Sequence, residues 1–335
     1  MQKKINVLID GLGGDVGQGV AKALMMSTLP ITIFGACISS SSSWLHKIEH
    51  SYIFPYINDA KFISFLIDFI NYHNIDIYFP TIDSGIKKIS EYKKTIEEQT
   101  KCIVFVDQIE KVHICDDKYT TVKFLEKEGF SAPKSILPNE EEIDNFIESV
   151  GYPFIIKTRS GNGAKEVFLA KSYNDYAPYI GNENYMFQEY IPSEGGEYTS
   201  GIYLGDDGEV KGICTLEREL RCGSTYKAKR IDNEVLEEPL KKIATSLGMK
   251  YLNIQSMRKG DILYPFEFNG RFSGTTGIIS KVFNAPEMFI KEKVLNELLP
   301  VNQNNHLFYV MRYFEEVYVS AQEVEALEKR SKELI

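Results

Sequence analysis

The 335-residue chain is 43% hydrophobic and 25% charged, with a net charge of −9 at pH 7, which suits two or three folded domains and excludes fibrous and disordered classes. A pI near 5.3 lacks the basic footprint that nucleic-acid or anionic-membrane binding needs, so neither partner is expected and small-molecule chemistry is. Five widely spaced cysteines with no Cys-x-x-Cys pair read as reduced thiols, and no leader-like or bilayer-length apolar run is present, so a cytoplasmic protein is expected.

The apolar run 5–9 leads into Asp10-Gly11-Leu12-Gly13-Gly14-Asp15-Val16-Gly17-Gln18-Gly19 and then an apolar stretch over 20–24. Strand, glycine-rich turn and helix form the opening unit of a doubly wound α/β domain. The turn offers backbone N–H groups to a substrate carboxylate or phosphate, or simply permits tight packing. A dinucleotide fingerprint would add an acid after the second strand. Here Ile31-Thr32-Ile33-Phe34-Gly35 runs toward five serines at 39–43, which read as a mobile loop. The βα alternation continues with helices over 61–72 and 84–99 and strands over 75–79 and 102–106. In Pro80-Thr81-Ile82-Asp83-Ser84-Gly85 a strand end meets a helix start, where open α/β sheets bind ligands. Asp83 is placed there either against substrate or, like Ser84, as a helix N-cap.

A boundary is expected near residue 115. The stretch 116–121 starts a helix that Gly129 stops, and a second helix covers 140–150. Phe154-Ile155-Ile156-Lys157 is an apolar strand ending in a lysine, followed by Thr158-Arg159-Ser160-Gly161-Asn162-Gly163-Ala164-Lys165 and a strand over 166–170. An ammonium for charge and loop N–H groups for shape would grip a phosphate; an ordinary hairpin with an exposed lysine is the plainer alternative. The strand through 185–191 stops at Pro192, and Glu189 and Glu197 offer acceptors to an exocyclic amine and to ribose hydroxyls. Segment 215–230 carries Arg218, Arg221, Lys227, Lys229 and Arg230. It reads as a cationic loop broken at Gly223 and Ser224, either a clamp on an anionic substrate or a solvated charge run. A helix over 234–247 ends at Gly248.

Asn253-Ile254-Gln255 and Tyr264-Pro265-Phe266-Glu267-Phe268-Asn269-Gly270-Arg271 flank Arg258-Lys259-Gly260-Asp261, which has the residues of a hairpin turn. Side chains alternate along a strand, so Glu267, Asn269 and Arg271 share a face. An ordinary buried face would leave them without partners. With Gln255 alongside, three hard oxygen donors and a cation suit Mg²⁺ holding nucleotide phosphates; a solvated surface ion pair is the alternative. The chain closes with a helix over 286–299, a strand over 308–319 and a helix over 321–334.

Lys118, Lys157, the Gly/Ser turn, Gln188-Glu189-Tyr190-Ile191, Glu197-Tyr198-Thr199 and Gln255…Glu267-x-Asn269-x-Arg271, in this order, resemble the ATP-grasp superfamily. Within it the chain is similar to small stand-alone enzymes of the carbamoyl-phosphate-synthase-like branch. The resemblance covers nearly the whole chain, and its weight lies in the ordered set rather than in any one motif. It implies an α/β ATP-grasp fold with a Rossmann-like domain at 1–115, a small central subdomain at 116–192 and a C-terminal subdomain at 193–335 that carries the metal site. ATP would lie between the last two. Lys118, Lys157 and the turn residues Ser160, Gly161, Asn162 and Gly163 would hold phosphates, the turn closing over them. Tyr190 and Ile191 would meet adenine, with Glu189 beside them and Glu197 on the ribose. Gln255, Glu267 and Asn269 would bind one or two Mg²⁺, or Mn²⁺ in their place. Arg271 and Lys157 would act on the transferred phosphoryl group, with Arg218 and Arg221 holding an acyl phosphate. The implied reaction joins a carboxylate to an amine with release of ADP and phosphate, in a possible homodimer; a carboxylate or small-molecule kinase is the alternative. Two positions depart from the usual pattern: Gly270 replaces a proline, and the first metal position is the amide Gln255.

Overall fold

The computed structural model describes residues 4–161, 166–193, 195–302 and 304–333. The N-terminal part runs β1 (Ile5–Ile9), α1 (Asp15–Met25), β2 (Ile31–Cys37), β3 (His50–Ile53), α2 (Phe62–His73), β4 (Ile77–Phe79), α3 (Asp83–Gln99) and β5 (Ile103–Val104). All pairings are parallel, in the order β3-β2-β1-β4-β5. Helices on both faces make strands such as β1 and β4 apolar along their length. The strand order reverses between β1 and β4, so the loops after these two strands flank the crevice where such sheets bind ligands. Asp10 joins the two loops: Tyr78 Oη and Thr81 N donate to its carboxylate at 2.5 and 2.6 Å, and Thr81 Oγ1 donates to its carbonyl at 2.7 Å.

Next come α4 (Ile109–Asp116), α5 (Lys118–Lys127), β6 (Ser135–Ile136), α6 (Glu140–Val150), β7 (Phe154–Thr158), β8 (Val167–Ala170), α7 (Tyr173–Tyr176) and β9 (Tyr185–Glu189). Their antiparallel sheet, β6-β9-β7-β8, rests on a small core in which Phe154 and Phe187 meet Phe146 and Tyr176. The last part contains β10 (Glu197–Leu204), β11 (Val210–Arg221), β12 (Ser224–Ile231), α8 (Glu234–Leu247), β13 (Tyr251–Lys259), β14 (Ile262–Asn269), α9 (Thr276–Ile279), α10 (Ala285–Lys293), β15 (Tyr309–Met311) and α11 (Ala321–Lys332). Its sheet has the order β14-β13-β10-β11-β12-β15.

The first and third sheets share a core: Phe105 stacks on Phe272 at 4.2 Å between ring centroids, and Phe79 and Phe289 close the cluster. The final helix α11 returns to the edge strand β3, where Ile53 N donates to Ser331 Oγ at 2.8 Å and Arg330 donates to Ser51 O. Among the described residues no helix is long and apolar enough to cross a membrane.

Several expectations change. The five serines do not form a free loop: they turn into a short 3₁₀ segment, and Ser40 Oγ donates to Glu328 Oε1 at 2.8 Å. Segment 215–230 is no loop either, since β11 and β12 form a hairpin with its turn at Cys222 and Gly223. Its basic side chains meet acids across the strands, because Glu217 faces Lys229 and Glu219 faces Lys227 in register. The strand expected over 308–319 shrinks to β15, and the helix over 286–299 ends at Lys293. Ile82, not Asp83 or Ser84, holds the N-cap position of α3.

Candidate active site

The hairpin of β13 and β14 brings Gln255 opposite Glu267 and Asn253 opposite Asn269. Gln255 Nε2 donates to Glu267 Oε1 at 3.3 Å, Asn269 Nδ2 donates to the same oxygen at 3.5 Å, and Arg271 Nη2 donates to Asn269 Oδ1 at 3.2 Å. Amide and guanidinium protons therefore hold three side-chain oxygen donors in one connected row. Among the described residues no three His, Cys, Asp or Glu side chains converge on a metal position. The donor set here has one carboxylate, with amide oxygens completing it. Hard oxygens of this kind fit Mg²⁺, whose remaining positions phosphate oxygens and water would fill.

Between Gln255/Glu267 and Ser256/Pro265 the register shifts, leaving Phe266 without a partner. Proline lacks the N–H a regular ladder needs, and a bulge is where sheets tolerate it. The bulge frees the Phe266 carbonyl to accept from Lys157 Nζ at 3.1 Å, and the ammonium lies 5.1 Å from the Phe266 ring centroid. Lys157 is 5% exposed. Burial pushes its pKa down to about 7, Glu267 opposing and Lys118 adding to the fall. An arriving phosphate would add counter-charge to that of Glu267.

Lys118 is the first residue of α5; its Nζ donates to Gly161 O at 2.7 Å and its backbone N to Arg159 O at 2.9 Å. Asp117 caps the helix and pairs with Arg159 at 2.5 Å. The two lysines thus come from a helix start and a strand end that one aspartate ties together.

One cleft of about 760 Å³ collects these groups. At its apolar end β9 stops at Glu189, and Tyr190 and Ile191 follow outside the ladder. Ile155, Met257 and Phe266 supply further walls that motif reading did not single out. A signal for Ile155 was present: Ile155 and Lys157 share one strand face, while Phe154 and Ile156 take the core face. Lys118, Ser160, Gly161, Glu189, Glu197, Gln255, Glu267, Asn269 and Arg271 all line this cleft. Asn162 and Gly163 lie outside the described residues.

The arginines of β11 behave differently from a clamp. Arg218 lines the cleft, but its Nε donates to Glu197 Oε1 at 3.0 Å and its Nη1 to Thr225 Oγ1 at 3.2 Å. Arg221 is not among the lining residues; it lies over the rings of Tyr226 and Phe314, at 5.3 and 5.9 Å. Alternation explains the split, since residues three apart on a strand take opposite faces. The N-terminal part contributes Asp15, which accepts from Ser224 Oγ at 3.0 Å, and Asp83, whose carboxylate pairs with Arg271 Nε.

A family model described as an ATP-grasp domain matches residues 115–275. The chain is similar to a carbamoyl-phosphate synthase of Methanobrevibacter smithii, 24% identical over 60% of this chain and 59% of the relative. It is also similar to a coenzyme gamma-F420-2:alpha-L-glutamate ligase of Methanocaldococcus jannaschii, 28% identical over 54% of this chain and 66% of that one. It therefore spans less than two thirds of the length of these sequence relatives. Among solved structures, N5-carboxyaminoimidazole synthetase from Staphylococcus aureus with ADP superposes with a TM-score of 0.63 at 20% identity, covering 81% of this chain and 72% of the other. Biotin carboxylase from Campylobacter jejuni gives 0.62 at 14% identity, with coverages of 85% and 70%.

Proposed function

We propose that this chain, residues 115–275 of which match an ATP-grasp domain, is an ATP-dependent ligase that activates a carboxylate for attack by an amine and releases ADP and phosphate. The observation that carries the reading is the single cleft in which Lys118 and Lys157 meet the Gln255, Glu267, Asn269 and Arg271 row, with an apolar pocket at one end. The sequence relatives support it, one being named a glutamate ligase and the other a carbamoyl-phosphate synthase.

The base of ATP would lie between Ile155, Ile191, Met257 and Phe266, with its polar edge at the backbone of Tyr190 and Ile191. Glu197 would accept from ribose through the oxygen that Arg218 leaves free. Lys118 and Lys157 would hold the phosphates, and the lowered pKa of Lys157 fits a lysine whose counter-ion is the ligand. Gln255, Glu267 and Asn269 would bind Mg²⁺, or Mn²⁺, which when bound offsets phosphate charge. The substrate carboxylate oxygen attacks the γ-phosphorus, the bond to the bridging oxygen breaks, and an acyl phosphate and ADP result. Arg271 and Lys157 stabilise the charge on the phosphoryl oxygens in that step. The amine then displaces phosphate from the acyl carbon.

An ADP-release screen over carboxylate and amine pairs tests this. Sustained formation of ADP and phosphate above a slow idle hydrolysis should need both the carboxylate and the amine, and stoichiometric AMP would overturn the reading. ADP formed with the carboxylate alone, together with a released phosphorylated product, would instead identify a kinase. Glu267→Ala should abolish turnover while leaving the melting temperature of the free protein within a few degrees.

A further inference from the structure

Arg271 reaches the cleft with every guanidinium nitrogen already engaged. Nη1 donates to Phe272 O at 2.7 Å and Nη2 to Asn269 Oδ1 at 3.2 Å, both local to β14 and the residues after it. Nε donates to Asp83, 188 residues away in the N-terminal sheet. The Asp83 carboxylate is not spent on capping α3. Its loop is held from beneath by the Asp10 bonds to Thr81. Gly11, at φ +59°, approaches so closely that a Cβ there would lie 2.7 Å from Thr81 Oγ1. The backbone that delivers Asp83 is thus anchored, while the side chain itself remains 34% exposed and can turn to water.

A carboxylate on Arg271 has two effects on phosphoryl transfer. It cancels the field the guanidinium would place on the transferred group, and it repels the phosphoryl oxygens. A substrate oxyanion can take the same Nε donor only by replacing it. We infer that Asp83 is an exchangeable counter-ion of Arg271: it holds the guanidinium until the acceptor carboxylate enters, then yields it, so that ATP turnover waits for the acceptor. This rests on the ligase reading above and makes Asp83 a positioning residue acting through Arg271.

The test needs no identified acceptor, because water can take its place. In that idle reaction the bond from the γ-phosphorus to the bridging oxygen breaks, a bond to the water oxygen forms, a proton leaves to solvent, and ADP and phosphate appear. Asp83→Asn and Asp83→Ser are compared with the wild type, and folding is verified by the melting shift that Mg·ADP produces. Acceptor-free ADP release should rise roughly tenfold in both variants, the scale of one lost charge contact near a transition state. Inorganic phosphate added to the Mg·ADP complex should raise the melting temperature more in the variants than in the wild type. Both effects should vanish when Arg271→Gln is introduced as well. An unchanged or slower idle rate in both variants overturns the inference, as does a larger phosphate shift that survives Arg271→Gln. A wild-type protein that binds no Mg·ATP would sink the ligase reading instead.

Discussion

Asp10 shows how one buried side chain serves the site without touching ligand. Burial raises its carboxyl from 3.8 to about 6, and the bonds from Tyr78 and Thr81 only partly oppose this. Because the folded value lies above the unfolded one, the stability it contributes is complete below the unfolded pKa and is lost as the pH rises through about 6. Urea unfolding of the wild type should therefore show a declining midpoint between about pH 4 and 6, worth of order 1–3 kcal/mol. Asp10→Asn should flatten that decline. A variant as pH-sensitive as the wild type across the same window would mean that other groups set the slope.

At the scale of elements, the start of α5 is the most economical device in the cleft. Asp117 Oδ1 accepts from Tyr119 N at 2.9 Å and Thr120 N at 3.3 Å, and the same carboxylate holds Arg159, the residue after β7. A helix cap and an inter-element ion pair thus coincide in one residue, and between them they fix the origin of Lys118. Asp117→Ala should cost about 1–2 kcal/mol, mostly the lost cap. It should also weaken ADP binding several-fold, because Lys118 loses its fixed base. Calorimetric titration with Mg·ADP checks this; lowered stability with unchanged affinity would show that Lys118 is positioned by other contacts.

For the whole molecule, the aromatic cluster joining the first and third sheets decides whether the N-terminal part is an appendage or integral to the fold. Phe272 is fully buried against Phe105, Phe79 and Tyr251, directly after Arg271. Phe272→Ala should lower stability by about 3–5 kcal/mol and move one cooperative unfolding transition in urea. Two separated transitions, the first at the wild-type midpoint, would show that the sheets hold together without this core. The contact between Asp83 and Arg271 depends on that same docking.

Helices α6 and α8 could be bounded from the chain alone, because their asparagine caps and terminal glycines act over a few residues. The hairpin that pairs Gln255 with Glu267 was readable for the same reason: alternation and turn chemistry are local, and residues 12 apart on two adjoining strands have few other ways to meet. Local signals did not reveal the bulge at Phe266, the cross-strand pairing that occupies the basic residues of β11 and β12, or the outward turn of Arg221. Nor did they join Asp83 to Arg271 or return α11 to β3. Each of those depends on register shifts or on surfaces that meet only after distant segments have packed. Thus periodicity, caps and the order of motifs specified most of the elements and most of the polar residues that line the cleft. Only the packed chain settled which charges are free to face a ligand, because a side chain's partner is chosen by spatial proximity and no local pattern encodes it.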